Sequence, residues 1–208
     1  MRDKDIRYLL IRYIQNEISN DSSCIIVEEL GLCTGATRVD IAIINGFIHG
    51  YEIKSDRDSL SRLPTQIDLY SRVLDYATLV VGHVHLKKAR DMIPAWWGIY
   101  VVNEDTTGTQ KINIKRKAKR NPGQNPYSIA QLLWASEAML ILDGHGLAKG
   151  LRKKPRQALW DALVNNFTLD ELRWMVRQAL KNRGDWRNPE STPSTTAISH
   201  GAQIISQF

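Results

Sequence analysis

The segment "RVDIAIINGFIHGYEIKSD", Arg38 to Asp56, limits the fold of this chain more than any other. Two nearly continuous apolar runs flank Asn45-Gly46, the pattern of adjacent strands in the middle of a sheet covered on both faces. Asp40, Glu52 and Lys54 interrupt that pattern. Charges are rarely fully buried unless they are paired or bind metal, so their presence needs a reason. Glu52 and Lys54 are two apart on a strand and share a face, with Ile53 turned to the other. Register decides whether Asp40 joins them. A two-residue turn at Asn45-Gly46 pairs Ile44 with Phe47 and leaves Asp40 and Glu52 on opposite faces. An odd-length loop that sets Ile44 against Ile48, or a bulge near Gly50, sets Asp40 against Glu52.

Two carboxylates and a lysine in such a place fit phosphodiester chemistry. Hydrolysis requires charge neutralisation at phosphorus, an activated water and a steadied leaving oxygen, all of which a divalent metal on carboxylates supplies. Mg²⁺ takes hard oxygen ligands and keeps several waters, so Asp40 and Glu52 suffice, and Mn²⁺ is expected to substitute. An ammonium beside them orients the water or stabilises charge on phosphate. The competing reading is a structural ion pair at the end of the sheet.

The rest of the chain supplies a frame. Ile6, Leu9, Leu10, Tyr13, Ile14 and Ile18 form the apolar stripe of a helix near residues 4–18, and "CIIVEELGL" is an extended run before the hairpin. A helix over about 60–75, a strand in "ATLVVGHVHL", a short helix ended by Pro94 and a strand in "WWGIYVV" complete the order helix, three strands, helix, strand. His83 and His85 would then share a strand face, a spacing that binds metal, although no third soft ligand lies nearby. Asp56 and Asp58 read as caps for the following helix. This is an α/β sandwich, with helices in two places to cover two faces of a sheet.

Composition changes after the basic run "KINIKRKAKR", and "NPGQNPYS" reads as a linker. The division expected is a core over 1–121, a helical extension over 122–187 and a disordered Ser/Thr/Pro-rich tail over 188–208. In the extension, "SIAQLLWASEAMLIL" reads as one helix, with two more from "KPRQALWDALVNNF" and "TLDELRWMVRQALKNRG", the last opened by a capping box from Thr168 to Glu171. Trp134, Trp160 and Trp174 fall on apolar helical faces.

The net charge is +6, and no acidic residue occurs from Thr106 to Ser136. Lys115, Arg116, Lys117, Lys119 and Arg120 therefore form a candidate contact for a phosphate backbone, with a solvated basic loop as the alternative. Arg38 either contacts phosphate or pairs with Asp40 or Glu29. Cys24 and Cys33 have no partners for a zinc site. The N-terminal residues lack the uninterrupted apolar core of a signal peptide and no segment is long enough to span a bilayer, so a cytoplasmic location is expected and no membrane partner.

The residues "RVD" and "GYEIKSD" resemble the D-(x)n-E-x-K signature of the PD-(D/E)xK nuclease superfamily, the restriction-endonuclease-like fold, and the element order agrees. The blocks "EELGL", "GYEIKSDRDSLSRLPTQIDLYSRVLD", "PAWWGIYVV" and "LAKGLRKKPRQALWDALV" are similar to a group of largely uncharacterised bacterial proteins in that superfamily, so the resemblance covers nearly the whole ordered chain. It implies a Mg²⁺-dependent nuclease acting on DNA, with Asp40 and Glu52 as metal ligands and Lys54 as catalytic lysine. The superfamily often adds an acidic residue from the first helix or its vicinity: Glu29 is the choice and Glu17 the rival. If the chain is extended there, only one of Glu28 and Glu29 approaches the metal. Gln66 and Tyr70 resemble a Q-x-x-x-Y element on the helix after ExK, where Gln66 would reach substrate or brace the lysine and Tyr70 would contact nucleic acid. A duplex cutter often needs two active sites, which a homodimer supplies. The alternative is a nuclease-fold module that binds nucleic acid or a protein without cutting.

Overall fold

A computed structural model describes residues 2–104 and 108–184. The expected tail over 188–208 lies outside the described residues. The chain forms two compact units, Met1–Gln124 and Asn125–Phe208. The division falls three residues beyond 121, and side-chain bonds explain why. Asn121 Nδ2 donates to the carbonyls of Ser71 and Leu74, and Gln124 Nε2 to that of Val73, which ties the start of the linker to the first unit.

The first unit is an α/β layer structure. Its order is α1 (Asp3–Glu17), β1 (Ile25–Leu32), β2 (Thr37–Ile44), β3 (Ile48–Lys54), α2 (Leu63–Ser71), β4 (Tyr76–Gly82), α3 (Leu86–Met92), β5 (Gly98–Glu104) and β6 (Gln110–Arg116). The six strands lie side by side in sequence order. β1, β2 and β3 are antiparallel neighbours, β3 to β5 run parallel, and β6 returns antiparallel on β5.

Ile6, Leu10 and Ile14 of α1 pack on Ile41, Ile43, Tyr51, Ile53 and Val80, which form one apolar face of the sheet. Strand alternation turns Glu52, Lys54, Leu79 and Val81 to the other face, where α2 brings Tyr70. Both faces of the hairpin are covered, which is why its sequence reads as apolar almost throughout.

The hairpin takes the odd-length register. Ile44 pairs with Ile48 across Asn45-Gly46-Phe47, and the ladder continues to Ile41 opposite Tyr51. Counting one step further sets Asp40 level with Glu52. Two local readings of the sequence change. "GHVH" leaves the strand at Gly82 and forms a 3-10 turn over His83–His85, so the two histidines do not share a strand face. A Cβ on Gly82 would collide with Asp56 Oδ1, and that oxygen accepts from Val84 N at 3.4 Å. Asp56 thus serves this turn and Asp58 accepts from Ser55 N, while α2 has no side-chain cap.

The second unit is helical: α4 (Pro126–Ala130), α5 (Ala135–Gly144), α6 (Arg156–Asn166) and α7 (Leu169–Asn182). The stretch expected as one helix breaks at Trp134, which is extended and caps α5, with its N–H donating to Glu137 at 2.7 Å. Glu137 is buried because Arg183 reaches both its oxygens, at 2.8 and 2.5 Å, and stacks over Trp134 at 3.9 Å. Trp160 is core, whereas Trp174 is 37% exposed and lies at the rim. Thr168 and Glu171 form the expected capping box of α7.

Gly50 lets β3 approach its neighbours, since a Cβ there would stand 2.5 Å from Leu74 Cδ1 and 2.9 Å from Val39 Cγ2. Gly50→Ala is therefore expected to lower stability by about 1–3 kcal/mol, read as a lower thermal midpoint.

Candidate active site

Glu52 is 3% exposed and Lys54 4%, both on β3. Lys54 Nζ lies 2.6 Å from Glu52 Oε1, and Gln66 Nε2 donates to the same oxygen at 2.6 Å. The Tyr70 hydroxyl sits between Glu52 Oε2 and the Arg38 carbonyl (2.7 Å), sharing one proton between two acceptors. A buried carboxylate needs partners for its lone pairs; Lys54 and Gln66 meet Oε1 and Tyr70 meets Oε2, where one lone pair is left. Gln66 and Tyr70 are one helical turn apart on α2, so they arrive together.

This corrects two expectations. Tyr70 is fully buried and its ring lies parallel to Trp97, with centroids 5.8 Å apart, so it braces Glu52 and is not a nucleic-acid contact. Gln66 likewise holds Glu52 rather than Lys54. Its Oε1 is buried with no hydrogen-bond partner among the described residues.

Asp40 stands where regular pairing stops. Its Oδ2 accepts from Ile53 N at 2.7 Å, a bond the ladder would otherwise direct to a backbone carbonyl. Its Oδ1 accepts from Arg7 at 2.9 Å, and Arg7 also donates to the Asp40 carbonyl at 2.9 Å. Burial and the nearby negative charge of Glu52 raise the Asp40 carboxyl to about 6, against the lowering effects of the Ile53 N–H and the Arg7 guanidinium.

Glu29 is level with Asp40 in the β1–β2 register and adopts a left-handed backbone, φ 56°. That conformation breaks strand alternation, so Glu28 and Glu29 are both exposed and both reach Arg7, at 3.7 and 3.1 Å. Of the two, Glu29 lines the cleft with Asp40 and Glu52, and Glu28 is not among its lining residues. Glu17 is at the far end of α1, ten residues and about 15 Å of helix beyond Arg7, and is not among the residues that line the cleft. Sequence reading missed Arg7. The available signal was the pairing of Asp3 with Arg7 at i,i+4 beside the apolar stripe, a distance of 3.5 Å in the structure.

Asp40, Glu52, Lys54, Glu29, Arg38 and Gln66 line one open cleft of about 470 Å³, joined by Asp3, Arg62 and Thr65. Arg38 is exposed there. Lys115, Lys117, Lys119 and Arg120 are exposed on and after β6. Arg116 departs from that set, because its guanidinium donates to the carbonyls of Trp97 (2.6 Å) and Pro94 (3.0 Å) and buttresses β5. Among the described residues no group of three or more His, Cys, Asp or Glu side chains is placed to hold a metal ion. No helix among them is long and apolar enough to cross a membrane.

In metal-free protein the Asp40 carboxyl should titrate near pH 6 by carbon-13 NMR. A carboxyl whose folded value is raised favours the folded state below about pH 4, and that contribution is lost as pH rises through about 6. The stability of Asp40→Asn should therefore fall less than that of the wild type between pH 5 and pH 7. A titration near the ordinary carboxylate value would show that Glu52 and burial do not act on Asp40.

Residues 1–190 match the family described as Bacteriophage P4 protein cII. Protein cII of enterobacteria phage P4 is 23% identical over 183 residues, 88% of this chain and 68% of that protein. Among solved structures, a protein of unknown function from Silicibacter pomeroyi is 19% identical and superposes with a TM-score of 0.40, covering 70% of this chain and 94% of that one. Pyrococcus furiosus SfsA, solved with Ca²⁺, is 15% identical with a TM-score of 0.28, covering 56% and 61%. Both superpositions are loose. The match over 1–190 takes in the whole carboxylate cleft and the helical unit, and the chain belongs to the bacteriophage P4 protein cII family.

Proposed function

We propose that this protein is a Mg²⁺-dependent nuclease of the PD-(D/E)xK kind that hydrolyses phosphodiester bonds in DNA. The observation that carries the reading is the buried Glu52–Lys54 pair on one strand, level with Asp40 on the next and open to a cleft.

The residues present fit a hard divalent cation. Asp40 and Glu52 supply carboxylate oxygens, and the buried Gln66 Oε1 has no partner of its own. A donor set this small suits Mg²⁺, which keeps several waters, and Mn²⁺ as its substitute. When bound, such a cation neutralises charge on phosphate and makes a bound water a better nucleophile. Gln66 and Tyr70 hold Glu52 in place, and Lys54 offers its ammonium to the charge that builds on the phosphate oxygens. Arg38, with Lys115, Lys117, Lys119 and Arg120, carries the exposed positive charge that suits a phosphate backbone.

Arg7 favours a second reading. Its guanidinium already neutralises Asp40 and Glu29, so a non-catalytic nucleic-acid or protein binding module with the same fold is the alternative.

A labelled duplex incubated with Mg²⁺ or Mn²⁺ separates the two. The nuclease reading expects products with wild type and a loss of at least about 100-fold in Glu52→Gln and Lys54→Ala, the order seen when one electrostatic stabiliser is removed. Asp40→Asn, a milder change at a less buried site, should lose activity while folding normally. Binding without products under either metal, from duplex and single strands alike, would leave the binding module.

A further inference from the structure

We propose that the connection between α5 and α6 in the helical unit, residues 147–157, is a second nucleic-acid contact that grips the phosphate backbone of double-stranded DNA. The choice of DNA rests on the function proposed above. The cationic site itself rests on the following observations.

From Gly144 to Trp160 there is no acidic residue, while Lys149, Arg152, Lys153, Lys154 and Arg156 are all exposed. The described part of the unit, 125–184, holds nine Lys and Arg against five Asp and Glu, an excess of four. The acids are largely engaged. Glu137 holds Arg183, Asp170 holds Arg173, Glu171 caps α7 and Asp143 pairs with Arg152. Among the described residues no acidic side chain pairs with Lys149, Lys153 or Lys154, so the excess positive charge of the unit gathers here.

The loop also has a fixed backbone. Gly146, at φ 70°, ends α5 with Gly146 N donating to the Asp143 carbonyl (3.0 Å) and Leu147 N to that of Leu142 (2.8 Å). Two tight turns follow, closed by Leu151 N to Ala148 O at 3.0 Å and Lys154 N to Leu151 O at 2.9 Å. Ala148 is 5% exposed and anchors the loop from below, and Arg156 lies over the Trp160 ring at 5.2 Å. Cations held on a set backbone lose less freedom on binding than those on a mobile tail. Gathering like charges opposes folding, and a polyanion offsets that repulsion. A lipid surface is disfavoured, because interfacial binding uses apolar side chains beside the cations and here Ala148 is buried and Leu151 half-buried.

The test is fluorescence anisotropy of the full chain with labelled duplexes of several sequences in EDTA, so that cleavage does not intrude. In Lys149→Gln/Lys153→Gln/Lys154→Gln the dissociation constant should rise about tenfold for every sequence. The slope of log affinity against log salt should shrink by about three, near one for each phosphate that a lysine no longer neutralises. Lys87→Gln/Lys88→Gln on α3 should bind like wild type, and unchanged circular dichroism and thermal midpoint confirm that the loop variant is folded. Wild-type affinity and salt slope in the triple variant would overturn the proposal. So would loop-dependent binding to phosphatidylserine vesicles with no effect on DNA. A protein that binds through the loop but never cleaves leaves this inference standing and removes the nuclease; one that cleaves and is indifferent to the loop change does the reverse.

Discussion

Glu52 is the group on which the α/β unit depends. A carboxylate at 3% exposure costs several kcal/mol unless its oxygens are met, so its neighbours are constrained by it. Lys54 comes from the same strand at no cost in topology. Gln66 and Tyr70 must come from α2, and that requirement fixes where α2 lies on the sheet. Tyr70 in turn rests on Trp97 at the entrance to β5, which Arg116 buttresses through the Trp97 carbonyl. One buried charge thus links β3, α2, β5 and β6.

Asp40 is held differently. Its partners are a backbone N–H and the side chain of Arg7, and it keeps 19% of its side chain in solvent. Burial, and after it the negative charge of Glu52, raise the Asp40 carboxyl to about 6, and a pair of carboxylates so placed calls for positive charge between or beside them. In the structure Arg7 supplies part of that charge from α1. The asymmetry gives the site a fixed half, built around Glu52, and an exchangeable half, in which a divalent cation would compete with a guanidinium for Asp40.

Much of this was legible in the chain, and what was hidden has physical reasons. Apolar periodicity located α1, the hairpin, α2 and β4, because burial on both sheet faces leaves a dense signal. The alternation of side chains reduced the hairpin to two registers, and the three-residue loop selects the one that brings Asp40 level with Glu52. Alternation did not show that Glu28 and Glu29 are both exposed, since nothing in "EELGL" announces a left-handed residue inside a strand. Arg7 was hidden because an arginine beside an apolar stripe looks like any solvated helix position until the strand below it is known. Tyr70 looked available to a ligand because helical spacing gives a face but not a partner. The break at Trp134 escaped a pattern of apolar residues that is continuous through it. The family match to protein cII covers these same residues without fixing their chemistry.

The central claim is that Asp40 and Glu52 jointly bind a divalent cation. Anomalous diffraction from crystals grown with Mn²⁺ tests it most directly. The account predicts a manganese peak within coordination distance of carboxylate oxygens from both residues, with Arg7 withdrawn from Asp40 Oδ1. A crystal in manganese with no peak at the cleft, and Arg7 still seated on Asp40, would contradict it.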